Sequence, residues 1–219
     1  MPRLPVHGLY AVTRQRYPDL RRLGREVQAA LEGGAAMIQF RDKSNDPEWR
    51  LDAARHLKAL CEASNTVLII NDDAQLARAA GADGVHLGRE DASIAVARNQ
   101  AGEKLIVGVS CYNDPVQAAR AAAGGADYLA FGSMFPSSTK PGAARCTLET
   151  LSRMRHLGLP LVAIGGISPE NGAPVIGAGA DFLAVISGVF EATDIRQAAE
   201  RYTALWPPKK KGQVHYCPT

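Results

Sequence analysis

A regular alternation constrains this chain more than any other feature. Eight short apolar runs, rich in Val, Ile, Leu and Ala, recur at 8–13, 37–41, 67–71, 84–88, 105–110, 128–132, 161–165 and 182–187. Between them lie longer segments with helical patterning, among them 19–31, 48–61, 74–80, 116–123 and 148–157. The runs are continuously apolar, which indicates strands buried on both faces, as in a parallel sheet covered by helices. Asp46-Pro47, Asp114-Pro115 and Ser168-Pro169 each set a capping oxygen ahead of a proline suited to the first helical position. Glycines at Gly33-Gly34, Gly81, Gly124-Gly125 and Gly179 mark helix ends. The tripeptide Gly-Ala-Asp recurs at 81–83, 125–127 and 179–181, each time directly before an apolar run, and Gly34-Ala35-Ala36 precedes the second run. Eight β-then-α units in 219 residues predict an α/β fold, a single (β/α)8 TIM barrel over 1–206, in preference to an open doubly wound sheet. Residues 207–219, with Pro207, Pro208 and three consecutive lysines, read as a flexible basic tail.

Charge and cysteine usage exclude several function classes. The formal charge is +3, and Lys209, Lys210 and Lys211 account for all of it, so the barrel lacks the basic face that nucleic acid requires. Cys61, Cys111, Cys146 and Cys217 show no CxxC or Cys/His ligand spacing and read as reduced thiols. The opening Met-Pro-Arg-Leu-Pro-Val-His-Gly has no apolar signal core, and no apolar stretch approaches the ~20 residues that cross a bilayer. A soluble cytoplasmic protein is expected. Its partners are expected to be small molecules, with neither nucleic acid nor membrane among them; a homo-oligomer is the one macromolecular association allowed for.

In such a barrel, functional residues gather where strand C-termini open into the βα loops, so polar residues that interrupt a run there are the candidates. The second run ends Gln39-Phe40-Arg41-Asp42-Lys43. With a period of two, Gln39, Arg41 and Lys43 share a face while Ile38 and Phe40 take the other. One amide and two cations in a row suit an anion with several oxygens; an ion-paired rim, with Asp42 and Asp46 as partners, is the other reading. The third run ends Asn71-Asp72-Asp73, and the fourth leads into Gly88-Arg89-Glu90-Asp91. A carboxylate from each, with phosphate oxygens and water, is a normal Mg2+ set, although Asp73 and Asp91 would also serve as helix caps. Ser110 ends the fifth run as a donor to a phosphate or to a turn, and His86 reads as a hydrogen-bonded core residue behind the site. The sixth run leads into Phe135-Pro136-Ser137-Ser138-Thr139-Lys140-Pro141-Gly142, whose hydroxyls and lysine can wrap an anion. Gly165-Gly166 after the seventh run and Ser187-Gly188 after the eighth form the phosphate cradle common among barrels, unless the glycines serve tight turns alone.

Taken in this order, the stretches resemble the thiamine-phosphate synthase (thiamine-phosphate pyrophosphorylase) family from about 9 to 199. The resemblance rests on Leu9-Tyr10-Ala11-Val12-Thr13, the 39–43 segment, Asn71-Asp72, 81–91, Val107-Gly108-Val109-Ser110, 135–140, Ala163-Ile164-Gly165-Gly166-Ile167 and Ala184-Val185-Ile186-Ser187. It implies an alkyl transferase of thiamine biosynthesis, joining a pyrimidine pyrophosphate to a thiazole phosphate or its carboxylate. The pyrimidine substrate would be held by the segment Gln39, Phe40, Arg41, Asp42 and Lys43 with Asn71, Ser110 and Lys140. Arg41, Lys43, Lys140 and Ser110 would be catalytic, and Asp72 and Asp91 would hold Mg2+, a choice of Asp72 over Asp73 that periodicity does not make. Ser137, Ser138, Thr139, Gly166, Ile186 and Ser187 would hold the thiazole phosphate. Departures from the family pattern are Phe40 for Tyr, Asp42 for Glu, Arg89 for Gln and Arg14 for Asp; Phe40 and Asp42 alternate away from the binding face. The competing readings are a thiazole tautomerase of the same fold, which needs no metal site, and a non-catalytic phosphate-ligand sensor.

Overall fold

A computed structural model of the chain describes residues 4–44, 46–136 and 145–207. Its strands are β1 (Gly8–Val12), β2 (Met37–Phe40), β3 (Val67–Asn71), β4 (Gly84–Leu87), β5 (Ile106–Tyr112), β6 (Tyr128–Phe131), β7 (Leu161–Ile164) and β8 (Phe182–Val185). They pair in sequence order, all parallel, and β8 returns to β1 to close the barrel. The helices are α1 (Leu20–Glu32), α2 (Pro47–Ala63), α3 (Ala74–Ala80), α4 (Ile94–Ala101), α5 (Pro115–Ala123), α6 (Leu148–Met154), α7 (Gly172–Gly177), α8 (Ser187–Phe190) and α9 (Ile195–Thr203). The (β/α)8 architecture expected from the alternation is the observed one. No helix among the described residues is long and apolar enough to cross a membrane. The tail from 208 onward lies outside the described residues.

Closure explains the continuously apolar strands. Tyr10, Val12, Met37, Ile69, Tyr128 and Phe182 fill the barrel interior, while their neighbours Leu9, Ala11, Ile38, Phe40, Leu68, Leu129 and Leu183 pack under the helices. Each strand thus serves two cores. The Gly-Ala-Asp repeat also has a physical cause. Asp83, Asp127 and Asp181 each accept a hydrogen bond from a backbone N–H of the neighbouring strand, Leu68, Val107 and Leu161, at 2.9, 2.7 and 2.8 Å. These carboxylates clamp adjacent strands at the end of the barrel opposite the βα loops.

Asp46 and Asp114 cap α2 and α5 as expected, accepting from Trp49 N–H and from the Val116 and Gln117 N–H groups. Ser168-Pro169 does not start a helix. Ser168 N–H donates to Asn171 Oδ1 at 2.8 Å and Asn171 N–H donates to Ser168 O at 3.2 Å, closing 168–171 into a turn, and α7 begins only at Gly172.

Candidate active site

The interior side chains run out at the C-terminal ends of the strands, leaving a cavity of about 260 Å3. Gln39, Arg41, Asn71, Ser110, Gly166, Ile186 and Ser187 all line it, so candidates from five strands or their loops converge on one mouth. Phe40 and Asp42 do not line it, and neither do Lys43, Asp72 and Asp91. The pleat sends Phe40, 2% exposed, into the helix-facing core. Asp42 accepts from Ser44 N–H at 2.7 Å and from Trp49 Nε1 at 3.3 Å, securing the start of α2. Ser137, Ser138, Thr139 and Lys140 lie outside the described residues.

The cationic row is held by the loop after β1. Buried Thr13 accepts from Arg41 N–H at 2.9 Å. The Gln15 amide, turned so that its oxygen faces Arg41, accepts from the guanidinium at 2.6 Å, and Lys43 N–H donates to the Gln15 carbonyl at 3.3 Å. Arg14 pairs with Glu26 on α1 and lies over the Tyr17 ring, outside the cavity lining. Arg89 lies over the ring of Tyr112, which lines the mouth. The ion-paired rim with Asp42 and Asp46 does not form: Lys43 pairs with Asp72 instead, Nζ to Oδ2 at 2.5 Å.

Asp72 and Asp73 take different roles because the backbone turns between them. Asp72 has φ +66, a left-handed conformation that costs a non-glycine residue on the order of 1–2 kcal/mol. Its carboxylate meets Lys43 and Asp91. Asp73 instead caps α3 through Leu76 N–H at 2.8 Å and pairs with Arg50 at 3.0 Å. Asp91, unlike Asp73, is not a helix cap; Ser93 caps α4, and Asp91 accepts from Gly88 N–H at 2.6 Å within its own loop. Burial pushes Asp72 up, but the Lys43 ammonium and the bond with Asp91 outweigh it and hold the carboxyl below the usual range. Burial raises Asp91, the Gly88 amide opposes this, and the adjoining Asp72 carboxylate raises it further. Two hard carboxylates in hydrogen-bonding reach of each other, one with its proton affinity raised by the other, suit a divalent cation that prefers oxygen ligands.

At the opposite rim Gly165 and Gly166 have φ +103 and +62. A Cβ on Gly165 would lie 2.2 Å from Ser133 Oγ, and one on Gly166 2.4 Å from the Pro136 carbonyl oxygen. Both glycines are therefore required by conformation and by the close approach of the loop after β6. Their neighbours Ile186, Ser187 and Gly188 bring the start of α8 to the same cavity, where the first N–H groups of a helix have no intrahelical partner.

Sequence reasoning left His86 as a core histidine and passed over Tyr10 and Tyr128, because tyrosines in apolar runs count as core. The structure joins them. Gln39 Nε2 donates to the Tyr10 hydroxyl at 2.8 Å, and the Tyr10 and Tyr128 hydroxyls are 2.9 Å apart. Tyr128 is 2.9 Å from His86 Nδ1, and His86 Nε2 is 2.9 Å from Ser110 Oγ. Burial pushes His86 down to about 4, against the opposing charge of Asp72, so the imidazole is neutral at physiological pH.

Residues 9–189 match the family model described as thiamine monophosphate synthase. The chain belongs to the thiamine monophosphate synthase family. It is 54% identical over 200 residues to the thiamine-phosphate synthase of Thiobacillus denitrificans, covering 91% of this chain and 94% of that protein. The thiamine-phosphate synthase of Azoarcus sp. is 52% identical over 202 residues, covering 92% and 98%. Among solved structures, thiamine phosphate pyrophosphorylase from Pyrococcus furiosus superposes with a TM-score of 0.81 at 36% identity, covering 90% of this chain and 94% of that one. Thiamine-phosphate synthases are transferases, and this member of the family is an enzyme of that class.

Proposed function

We propose that the barrel couples 4-amino-2-methyl-5-hydroxymethylpyrimidine pyrophosphate with thiazole phosphate, or its carboxylate, to give thiamine phosphate and pyrophosphate. The observation that carries this reading is the meeting of Lys43, Asp72 and Asp91 in the loops after β2, β3 and β4, beside Arg41 and Asn71, which line the cavity together with Gly165 and Gly166. One side suits a diphosphate and the other a monophosphate.

Arg41 and Lys43 would grip the diphosphate, a fork and a movable point charge, with Lys140 added by family resemblance. Gln39, Asn71 and Ser110 would hold the pyrimidine half, and Gly166, Ile186 and Ser187 the thiazole phosphate through backbone N–H groups and the Ser187 hydroxyl; resemblance adds Ser137, Ser138 and Thr139. Asp72 and Asp91 would bind Mg2+, which when present would neutralise part of the diphosphate charge. The C–O bond to the pyrimidine methylene breaks, its electron pair leaving with pyrophosphate, and the methylene cation is stabilised by resonance with the aminopyrimidine ring. The lone pair of the thiazole nitrogen then forms the new C–N bond. That nitrogen carries no proton to remove, so no general base is needed, and the neutral, fully hydrogen-bonded His86 is consistent with this. Catalysis rests on charge aimed at the leaving group, worth about 3–4 kcal/mol per well-placed donor, and on positioning of the two substrates.

The test is pyrophosphate release on mixing both substrates, with Mg2+ and with EDTA. Release that needs both substrates and stops on chelation supports the proposal. Asp72→Ala should lower it at least a hundredfold while the melting curve stays cooperative. Tautomerisation of the thiazole that survives EDTA, without pyrophosphate release, would identify the tautomerase instead.

A further inference from the structure

The polar chain across the barrel interior crosses five strands, from Gln39 on β2 through Tyr10 on β1, Tyr128 on β6 and His86 on β4 to Ser110 on β5. Its members are 9% exposed or less except Ser110, which is half-buried, and both ends line the cavity. Space is kept for it: a Cβ on Gly108 would lie 1.9 Å from Cζ of Tyr128, so glycine at that position of β5 is what admits the ring.

The chain has a direction. The Gln39 amide nitrogen can only donate, so the Tyr10 oxygen accepts from it. Among the described residues the hydrogen-bond partners of the Tyr10 hydroxyl are Gln39 and Tyr128, so its own buried hydrogen has one acceptor, the Tyr128 oxygen. Tyr128 then donates to His86 Nδ1, which leaves the ring proton on Nε2 and directs it to Ser110 Oγ. The reverse order would leave the Tyr10 hydrogen buried without an acceptor. In this order the Gln39 end keeps its carboxamide oxygen, an acceptor fixed in place by the bond from Nε2 to Tyr10, and a second N–H, while the Ser110 end keeps its hydroxyl hydrogen, a donor.

We propose that Tyr10, Tyr128 and His86 are positioning residues that fix this polarity, so that the cavity accepts from an exocyclic amino group at Gln39 and donates to an acceptor atom of the ligand at Ser110. An aminopyrimidine offers that pair, an amino N–H beside a ring nitrogen; its 4-oxo counterpart in the same pose sets a carbonyl oxygen against the anchored Gln39 oxygen and a ring N–H against the Ser110 hydrogen. The inference rests on the proposed pyrimidine substrate, and it assigns the selection of amino over oxo to three residues that act through Gln39 and Ser110.

Two measurements test it. The first compares kcat/KM for the 4-amino and 4-oxo pyrimidine pyrophosphates in the natural protein, Tyr10→Phe and Tyr128→Phe. Each substitution keeps the ring and removes one hydroxyl with its two hydrogen bonds, freeing Gln39 or His86 to reorient. The amino-over-oxo ratio should fall at least tenfold, and KM for thiazole phosphate should stay within twofold. A ratio unchanged in both variants, with melting curves like that of the natural protein, overturns the proposal. The second is independent of turnover: 15N NMR of histidine-labelled protein at pH 7, with the His86 signals assigned by their loss in His86→Gln. Nε2–H with an unprotonated Nδ1 is expected; Nδ1–H, or protonation of both nitrogens, overturns the direction of the chain and with it the polarity. Failure of the natural protein to turn over the amino substrate would refute the proposed function, while the NMR result would still decide the order of the protons.

Discussion

Replacing Lys43 with Met keeps most of the aliphatic stem and deletes one charge from the site. The Lys43 side chain is 48% exposed and that of Asp72 28%, so solvent screens their pair and its contribution to stability is about 0–1 kcal/mol. For a chain of 219 residues that lowers Tm by at most roughly 4 °C. Turnover should respond on another scale, because the same ammonium faces the departing diphosphate and losing one preorganised donor costs about 10²–10³ in kcat. A third effect has a definite sign. Burial raises the Asp72 pKa, and Lys43 and Asp91 more than reverse it, so the folded value is lowered. Such a group stabilises the fold above its unfolded pKa, near about 4, and that contribution disappears as pH falls through the folded value. The unfolding free energies of natural protein and Lys43→Met should therefore differ at pH 7 and converge in acid, as the pH falls through the folded value. Urea melts at pH 7 and down an acid series, with pyrophosphate release at pH 7, read all three effects. A variant that keeps kcat within tenfold, or a stability gap that persists undiminished in acid, would refute the assignment of Lys43 to both the leaving group and Asp72.

Gly166→Ala and Gly81→Ala separate conformation from contact. Both residues have φ above +60, which costs alanine about 1–2 kcal/mol, but a Cβ at Gly81 meets nothing within 4 Å whereas one at Gly166 meets the Pro136 carbonyl at 2.4 Å. Gly166→Ala should cost a further ~1–3 kcal/mol in urea melts and raise KM for thiazole phosphate; equal costs would refute the close approach. Asp83→Ala leaves the buried Leu68 N–H without its side-chain acceptor and strips Lys58 of a partner 2.7 Å away, so unfolding free energy should fall by about 1–3 kcal/mol. Its clamp lies at the far end of the barrel, so kcat at 25 °C should not change; a loss of turnover in folded protein would contradict that separation.

Strand positions were legible to within two residues because every strand is buried on both faces, and apolar residues at consecutive positions are the direct imprint of that burial. The site was legible where polar residues broke those runs. Alternation alone separated Gln39, Arg41 and Lys43 from Phe40, and the structure sends Phe40 to the other core. Periodicity failed where the backbone leaves the extended region: the left-handed turn at Asp72 sends two adjacent aspartates to different tasks, and no count of twos predicts which. Ser168-Pro169 misled for a related reason, since a capping oxygen before proline starts a helix only when the following backbone is free to continue, and Asn171 closes it into a turn. The Gln15 amide that supports Arg41 left no signal, being a polar residue in a polar loop.

By itself, the order of residues determined the fold class, the two faces of each strand and the end of the barrel where chemistry would gather, since all of these follow from periods of two to four residues along the chain. Only the closed barrel decided which side chains meet: Tyr10 and Tyr128 are 118 positions apart, and their hydroxyls touch because β1 and β6 face each other across the interior. Local patterning carries no information about that distance, so the hydrogen-bonded chain from Gln39 to Ser110 is a property of the tertiary structure alone.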